Sequence, residues 1–162
     1  MPSYPLNLSQ RNSDWEKVVT PEDYIMTRDK KYMDFVRRLA TSNNMKMKLA
    51  ACLVIRNEII SVGLNSDKSH PLQKRFAKNN DAIFKHAEVD CIIKALKIVD
   101  EEDLKNATLY VYRVKRKHKG DMNWVSGRAE PCPGCQKAIE HFGIKKTVFS
   151  LDEEDSYGTL WC

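Results

Sequence analysis

The sequence predicts an α/β fold in which one mixed sheet is covered by helices. Three observations favour it. The chain has 162 residues, which suits one domain with a proper core. Its apolar segments change between helical and strand periods, in the order α-β-β-α-β-α-β. No internal repeat or low-complexity tract interrupts them. We therefore expect an irregular arm over residues 1–19 and a single domain over residues 20–162.

The first half of the domain contains a helix, a hairpin and a long loop. Thr20 suits an N-cap and Pro21 the first helical position, and apolar residues then recur at helical spacing as far as Ala40. The runs "KLAACLVI" and "EIISVGLN" are rich in β-branched residues and flank Arg56-Asn57, which predicts a β-hairpin. Residues 65–84 carry turn signals and predict a long loop with some local helix.

The second half contains two helices and two strands. A helical period predicts a helix from Ala87 to about Asp100, and "ATLYVYRV" predicts a strand. The basic, polar stretch "KRKHKGDMNWVSGRAE" predicts an excursion from the core. A helix then begins in "PCPGCQKAIEHFG" and ends near Gly143, and "IKKTVFSL" predicts a last strand before a polar, acidic tail.

Composition narrows the classes of function. No segment reaches the roughly 20 apolar residues of a membrane span, and the opening residues lack the layout of a signal peptide, so we expect a cytoplasmic protein. Five cysteines, an odd number, indicate metal binding or free thiols and not a disulfide framework. The net charge of +5 permits an anionic substrate but is too small to indicate nucleic acid.

The segment "PCPGC" predicts half of a metal site at the start of a helix. With Cys132 as N-cap, Pro133 takes the first helical position and Cys135 lies in the first turn. The positive end of the helix dipole favours both thiolates. His86 has the equivalent place before the other helix. One imidazole and two thiolates leave an open fourth position on Zn²⁺, as in catalytic zinc sites, where bound water has its pKa lowered from about 15.7 to about 7.

Glu88 supplies the acid that such chemistry needs. Near the open end of a helix it can reach the metal-bound water, take its proton and return that proton to a substrate nitrogen. Together the two segments form the H-x-E…P-C-x-x-C signature of zinc deaminases. A Cys-x-x-Cys alone would indicate structural zinc or redox chemistry, but neither alternative gives His86 and Glu88 a function.

The stretches "HAEVDCIIKAL" and "EPCPGCQKAIEHFGIKKTVF" resemble the cytidine and deoxycytidylate deaminase superfamily, and most of all its deoxycytidylate deaminases, including those encoded by phages. The resemblance covers roughly residues 48–150. It implies a three-layer α/β/α sandwich around a mixed five-stranded sheet, a homo-oligomer and, for a phage protein, a location in the host cytoplasm.

Carried over by position, the resemblance implies the roles of six residues. The zinc ligands would be His86, Cys132 and Cys135. Glu88 would shuttle protons, the backbone N–H of Ala87 would hold the pyrimidine carbonyl, and Asn65 in "GLN" would contact the sugar or base. The long basic insertion at residues 115–130 departs from the family pattern and leaves the substrate open.

The substrate is expected to be a free cytosine nucleotide, first of all dCMP, which would yield dUMP and ammonia. Lys74 and Arg75, with Lys78, are the expected contacts for its phosphate. One alternative is deamination of cytosine or adenine within single-stranded DNA or tRNA, with Trp124 stacking on a base. The other is an inactive subunit that keeps the fold for binding. No membrane partner is expected, and a nucleic acid is the less favoured alternative to the free nucleotide.

Overall fold

The computed structural model describes residues 21–77 and 84–162, with side chains from residue 28 onward. The predicted arm at residues 1–19 and the predicted phosphate contact Lys78 lie outside the described residues. The helices are α1 (Pro21–Ser42), α2 (Pro71–Arg75), α3 (Ala87–Ala95) and α4 (Pro133–His141), and a 3-10 helix spans Glu101–Asn106. The strands are β1 (Lys48–Ile55), β2 (Glu58–Leu64), β3 (Ala107–Arg116), β4 (Trp124–Gly127), β5 (Lys146–Ser150) and β6 (Tyr157–Trp161). None of these helices is long and apolar enough to cross a membrane.

The sheet is mixed and has six strands in the described residues. Its main path runs β2-β1-β3-β5-β6, and β4 pairs with β3 beside that path. Only the β3–β5 pair is parallel among the pairs described. The expected count of five strands is correct for the main path and wrong for the whole sheet. The sixth strand arises because the basic insertion folds back as a hairpin that pairs Arg116 with Trp124.

The end of the chain also differs from the prediction. The expected polar tail contains β6, which pairs in antiparallel fashion with β5. This strand lies at the edge of the sheet and is half-exposed, so it lacks the apolar run that marks a buried strand. The helix expected to reach Asp100 ends as α3 at Ala95. Asp100 instead forms a capping box with Asp103 and starts the 3-10 helix.

Alternation along the strands builds one apolar core on each face of the sheet. On β1, Cys52 packs toward α1, whereas its neighbour Leu53 packs toward α3, and both are fully buried. Tyr110 and Val111 on β3 divide in the same way. Helix α1 therefore covers one face, and α3 and α4 cover the other. This arrangement confirms the predicted three-layer α/β/α sandwich.

The β1–β2 hairpin confirms another prediction and explains its turn. Arg56 and Asn57 have φ values of 51° and 64°, so both lie in the left-handed region. Two consecutive residues of that kind suit a type I′ turn, whose twist matches that of the flanking strands. Tyr32 of α1 donates a hydrogen bond of 2.7 Å to the Asn57 carbonyl and ties the turn to the helical layer.

Candidate active site

The site lies where the first turns of α3 and α4 meet. His86 is the N-cap of α3, and its ring makes no capping hydrogen bond, so it can turn toward α4. Cys132 is the N-cap of α4, followed by Pro133 at the first helical position. The Cys132 sulfur accepts a hydrogen bond of 3.5 Å from the backbone N–H of Cys135. The capping geometry thus points both cysteines and the histidine at one place.

Two glycines allow the helices to approach closely enough for this meeting. A Cβ at Gly63 on β2 would overlap the carbonyl oxygen of Ala87 and the backbone nitrogen of Cys91. A Cβ at Gly134 on α4 would lie 2.8 Å from the carbonyl oxygen of Phe76. Any larger side chain at either position would push a metal-bearing helix away from its support.

The three expected ligands converge. The His86 Nδ1 atom lies 3.1 Å from the Cys135 sulfur and 3.5 Å from the Cys132 sulfur. All three ligand atoms lie within 4.8 Å of one another. Atoms at these separations can be ligands of one tetrahedral ion, and a donor set of one imidazole and two thiols suits zinc. The residues present therefore fit the metal.

The ligands also polarise one another. A hydrogen bond from the Cys135 thiol, aided by one from His86, lowers the pKa of Cys132 to about 4. The same hydrogen bond to Cys132, followed by burial, raises the pKa of Cys135 well above its ordinary value. The hydrogen bond to Cys132 raises the pKa of His86. Cys132 is thus the first thiolate of the cluster and a ready ligand for a cation.

Glu88 is buried beside the cluster. It is 3% exposed, and its Oε1 atom has no hydrogen-bond partner among the described residues. Burial raises the pKa of its carboxyl group. Because unpartnered buried carboxylate oxygens are rare and costly, this one has the character of a group kept for a reaction.

A cleft of about 370 Å³ opens over the cluster and Glu88. This volume lies in the range of small-molecule sites. Apolar side chains form one part of its wall, and two arginines and a glutamate form another. The lining residues are Met47, Leu49, Asn65, Ser66, Phe84, His86, Glu88, Arg113, Arg128, Ala129, Glu130 and Cys132.

Comparison with known proteins identifies the family. The model of the cytidine and deoxycytidylate deaminase zinc-binding region matches residues 26–151. The chain belongs to this family. It is a zinc-dependent hydrolytic deaminase, as the resemblance seen in the sequence predicts. A search of curated protein sequences found no match.

Three solved structures are similar to this deaminase, and the first shares its fold. The dCMP deaminase of cyanophage S-TIM5 in complex with dCMP and dUMP is 21% identical, with a TM-score of 0.50 over 80% of this chain and 82% of the other. The apo form of that enzyme is 23% identical, with a TM-score of 0.49 over 84% and 88%. RibD of Acinetobacter baumannii is 22% identical, with a TM-score of 0.45 over 76% of this chain and 28% of the other.

Asn65 of the deaminase lines the cleft and also fixes its wall. Its Oδ1 atom accepts hydrogen bonds from the Asn43 side chain at 2.6 Å and from the Leu49 backbone at 3.1 Å. Its amide nitrogen donates a hydrogen bond of 2.8 Å to the Met47 carbonyl. Asn65 therefore holds the segment before β1 in place, a role that sequence reasoning did not include. Its contact with substrate stays a prediction.

Of the other expected substrate contacts, Ala87 lies at the site, whereas Lys74 and Arg75 do not line the cleft. Ala87 is buried in the first turn of α3, between the ligand His86 and Glu88. Lys74 and Arg75 are exposed on α2 and are not among the residues that line the cleft. A role for these two cations stays a prediction, and the structure does not bring them to the site.

Three residues near the site were missed by sequence reasoning. Arg113 and Arg128 line the cleft, and Gln73 is buried next to His86. Strand alternation offered a signal for Arg113, because it lies two residues after Val111 and so shares the face of β3 that packs toward α3 and α4. No local pattern marked Gln73, which directly precedes Lys74 and Arg75, the two residues that suggested a phosphate contact.

Proposed function

We propose that the enzyme deaminates a free cytosine mononucleotide, with dCMP as the first candidate. Water would replace the exocyclic amino group of cytosine, releasing ammonia and leaving dUMP. The observation that carries the proposal is a buried Glu88 carboxyl, whose Oε1 atom has no hydrogen-bond partner among the described residues, beside a His/Cys/Cys cluster at one cleft.

The metal cluster and Glu88 have separate tasks. His86, Cys132 and Cys135 would hold zinc, which when bound supplies a water that is acidic at neutral pH. Glu88 accepts the proton released from the attacking water at Oε1 and delivers it to the ring nitrogen. It then assists proton transfer to the departing amine. The raised pKa of this carboxyl favours the protonated state that the second half of the task requires.

Ala87 and Asn65 would orient the base and sugar. The backbone N–H of Ala87 belongs to the first turn of α3, where N–H groups have no partner within the helix, so it can donate to the pyrimidine carbonyl. Asn65 uses one amide N–H on the Met47 carbonyl, and we assign the second to a substrate oxygen. Its remaining hydrogen bonds keep that amide in a fixed orientation.

Arg113 and Arg128 are our candidates for the phosphate contacts. Both line the cleft that holds Glu88, whereas Lys74 and Arg75 do not. The Arg128 Nε atom donates a hydrogen bond of 3.1 Å to Glu130, which holds the guanidinium at the cleft. A guanidinium group can bind two phosphate oxygens at once through parallel N–H groups. Two arginines at the cleft therefore favour a mononucleotide over a nucleoside.

A screen of substrates tests the proposal. Deoxycytidine, dCMP, CMP, dCTP and a short single strand would be assayed for release of ammonia, with Glu88→Gln as the blank. We expect dCMP to have the highest kcat/KM. Arg113→Gln should raise the KM for dCMP about tenfold and leave deoxycytidine unaffected, an effect of the order expected for one charge-assisted contact.

Arg116→Gln is the matched control, because Arg116 is exposed and contacts the Trp124 ring at 4.9 Å outside the cleft lining. It should leave the kinetics for dCMP unchanged. Equal use of deoxycytidine and dCMP would refute the phosphate assignment. Preference for the single strand would favour the polymer alternative, although the Trp124 ring is already covered by Arg116 and Lys48. The homo-oligomer and the cytoplasmic location stay predictions.

A further inference from the structure

The short helix α2 lies between the two metal-bearing helices and is fixed at both ends. His70 caps it by accepting a hydrogen bond of 3.0 Å from the backbone N–H of Leu72. At the other end, the Phe76 carbonyl lies against Gly134 in the first turn of α4. The Phe76 ring also packs on His141, with ring centroids 5.2 Å apart. The predicted loop thus contains a short helix that packs against α4.

Gln73 is the buried residue of α2, with only 1% of its surface exposed. Its Oε1 atom accepts a hydrogen bond of 3.0 Å from the backbone N–H of His86. Hydrogen bonding from the Gln73 side chain also opposes the larger effects of Cys132 and burial that raise the pKa of Cys135. One side chain therefore contacts the backbone of His86 and acts on Cys135, two expected metal ligands that are 49 positions apart in the chain.

These contacts control direction as well as position. His86 precedes the first residue of α3, so its N–H has no partner inside the helix and needs an external acceptor. Fixing that peptide group fixes the Cα–Cβ direction of His86 and hence the path of its ring. An amide donor at a cysteine sulfur stabilises the negative charge that the sulfur carries as a ligand.

We propose that Gln73 is a positioning residue of the metal site, which sets the orientation of His86 through its oxygen and supports Cys135 through its amide. It is not among the residues that line the cleft, so it does not act by touching substrate. The proposal rests on the same metal cluster as the proposed function, and it is independent of which nucleotide is deaminated.

Two variants separate the two contacts. Gln73→Met has a similar shape and loses both, and we expect zinc affinity to fall about 10- to 100-fold, as is usual when a group that orients a metal ligand is removed. Gln73→Glu keeps the acceptor for His86 and replaces the amide donor with a carboxylate. Zinc affinity would be measured by competition with a chromophoric chelator, and the ligand field by the absorption spectrum of the Co²⁺-substituted protein.

Hydrogen exchange at the His86 amide distinguishes the variants. The amide should remain protected in Gln73→Glu and exchange faster in Gln73→Met, while both variants show weaker zinc binding and a shifted Co²⁺ spectrum. Tyr110→Phe is the control, because it removes a buried hydrogen bond to Asp29 on the opposite face of the sheet. It should lower the melting temperature without changing zinc affinity.

The proposal is overturned if Gln73→Met binds zinc as the wild type does, or if its loss of zinc affinity is no greater than that of Tyr110→Phe. It is also overturned if Gln73→Glu retains full zinc affinity and an unshifted Co²⁺ spectrum. A failure of the substrate assignment would leave these metal readouts intact, because none of them depends on dCMP. Each of the two proposals can therefore be refuted without the other.

Discussion

Two buried carboxyl groups lie on opposite faces of the sheet and differ in their hydrogen bonding. Asp29, on the α1 side, accepts hydrogen bonds from Tyr110 at 2.7 Å and from Lys146 at 3.0 Å, so each of its oxygens has a partner. Glu88, on the α3 side, has an Oε1 atom without a partner among the described residues. Both side chains belong to helices that pack on the same sheet.

The contrast separates a carboxylate that stabilises the fold from one that is kept for a reaction. A buried charge with a partner and hydrogen bonds is tolerated, and removing one member leaves the other uncompensated. A buried carboxyl without a partner raises the free energy of the folded state, and the surrounding structure offsets that cost. The α1 face therefore contributes rigidity, whereas the α3 face contains the groups whose protonation can change.

The largest effect is expected from Glu88→Gln. Loss of the proton carrier should lower kcat by about 10² to 10⁴, the usual contribution of general acid–base catalysis. Zinc content should stay at the wild-type level, since the ligands are untouched. The free energy of unfolding in urea should not fall, because a neutral amide costs less to bury than an unpartnered carboxylate. A variant that is both inactive and markedly less stable would place Glu88 with Asp29 as a structural group.

Asp29→Asn should lower the stability of the fold and leave the active site intact, the reverse of Glu88→Gln. It leaves Lys146 largely buried beside a neutral amide, since the two side chains are only 12% and 11% exposed. We expect the free energy of unfolding to fall by about 3 kcal/mol, the lower end for a broken buried pair. Zinc stoichiometry and the KM for substrate should stay unchanged. Unaltered stability in chemical denaturation would contradict the assignment of the α1 face to rigidity.

Gly63→Ala tests whether the site face depends on close contact between β2 and α3. The new methyl group would meet the Ala87 carbonyl and the Cys91 backbone, which cannot move separately from the helix. We expect a loss of about 2 kcal/mol in stability together with weaker zinc binding, since overpacking typically costs 1–3 kcal/mol.

Gly158→Ala is the counterpart for this test, because the atoms nearest to its new methyl group belong to the Phe149 ring and not to a metal ligand. It should leave zinc affinity unchanged, whatever its effect on the melting temperature. Similar zinc affinities in the two variants would show that the close approach at Gly63 is not needed for the metal site.

The smallest effect is expected from Glu154→Gln, which breaks a half-exposed pair with Arg37 on the α1 side. The hydrogen bond from Arg37 lowers the pKa of Glu154 to about 2. Because the folded-state pKa lies below the ordinary value, the contribution is present above about pH 4.5 and is lost as the pH falls toward 2. Screening limits it to at most about 1 kcal/mol at pH 7.

The measurement is the difference in unfolding free energy between wild type and Glu154→Gln at pH 7 and at pH 3. That difference should shrink at the lower pH. A difference in unfolding free energy that stays constant, or that increases at the lower pH, would exclude the ion pair as its source.

Local signals in the sequence predicted the main helices and strands and the residues of the metal site, whereas the three-layer arrangement was implied by the family resemblance. Helix N-caps, proline at the first helical position and a two-residue spacing between cysteines are properties of neighbouring residues. Periodicity likewise predicted α1, the β1–β2 hairpin and β3. The convergence of His86, Cys132 and Cys135 follows because the helix starts that contain them lie on the same side of the sheet.

Tertiary structure alone decided what surrounds that site. Gln73 reaches His86, and Arg113 reaches the cleft, through packing of segments far apart in the chain. Gln73 has no distinctive local pattern, and strand alternation indicates only the face of β3 on which Arg113 lies. Lys74 and Arg75 had the suggestive charge, but both are exposed on α2 and neither is among the residues that line the cleft. Charge can be read from a sequence, but the face on which a short helix packs depends on contacts that only folding creates.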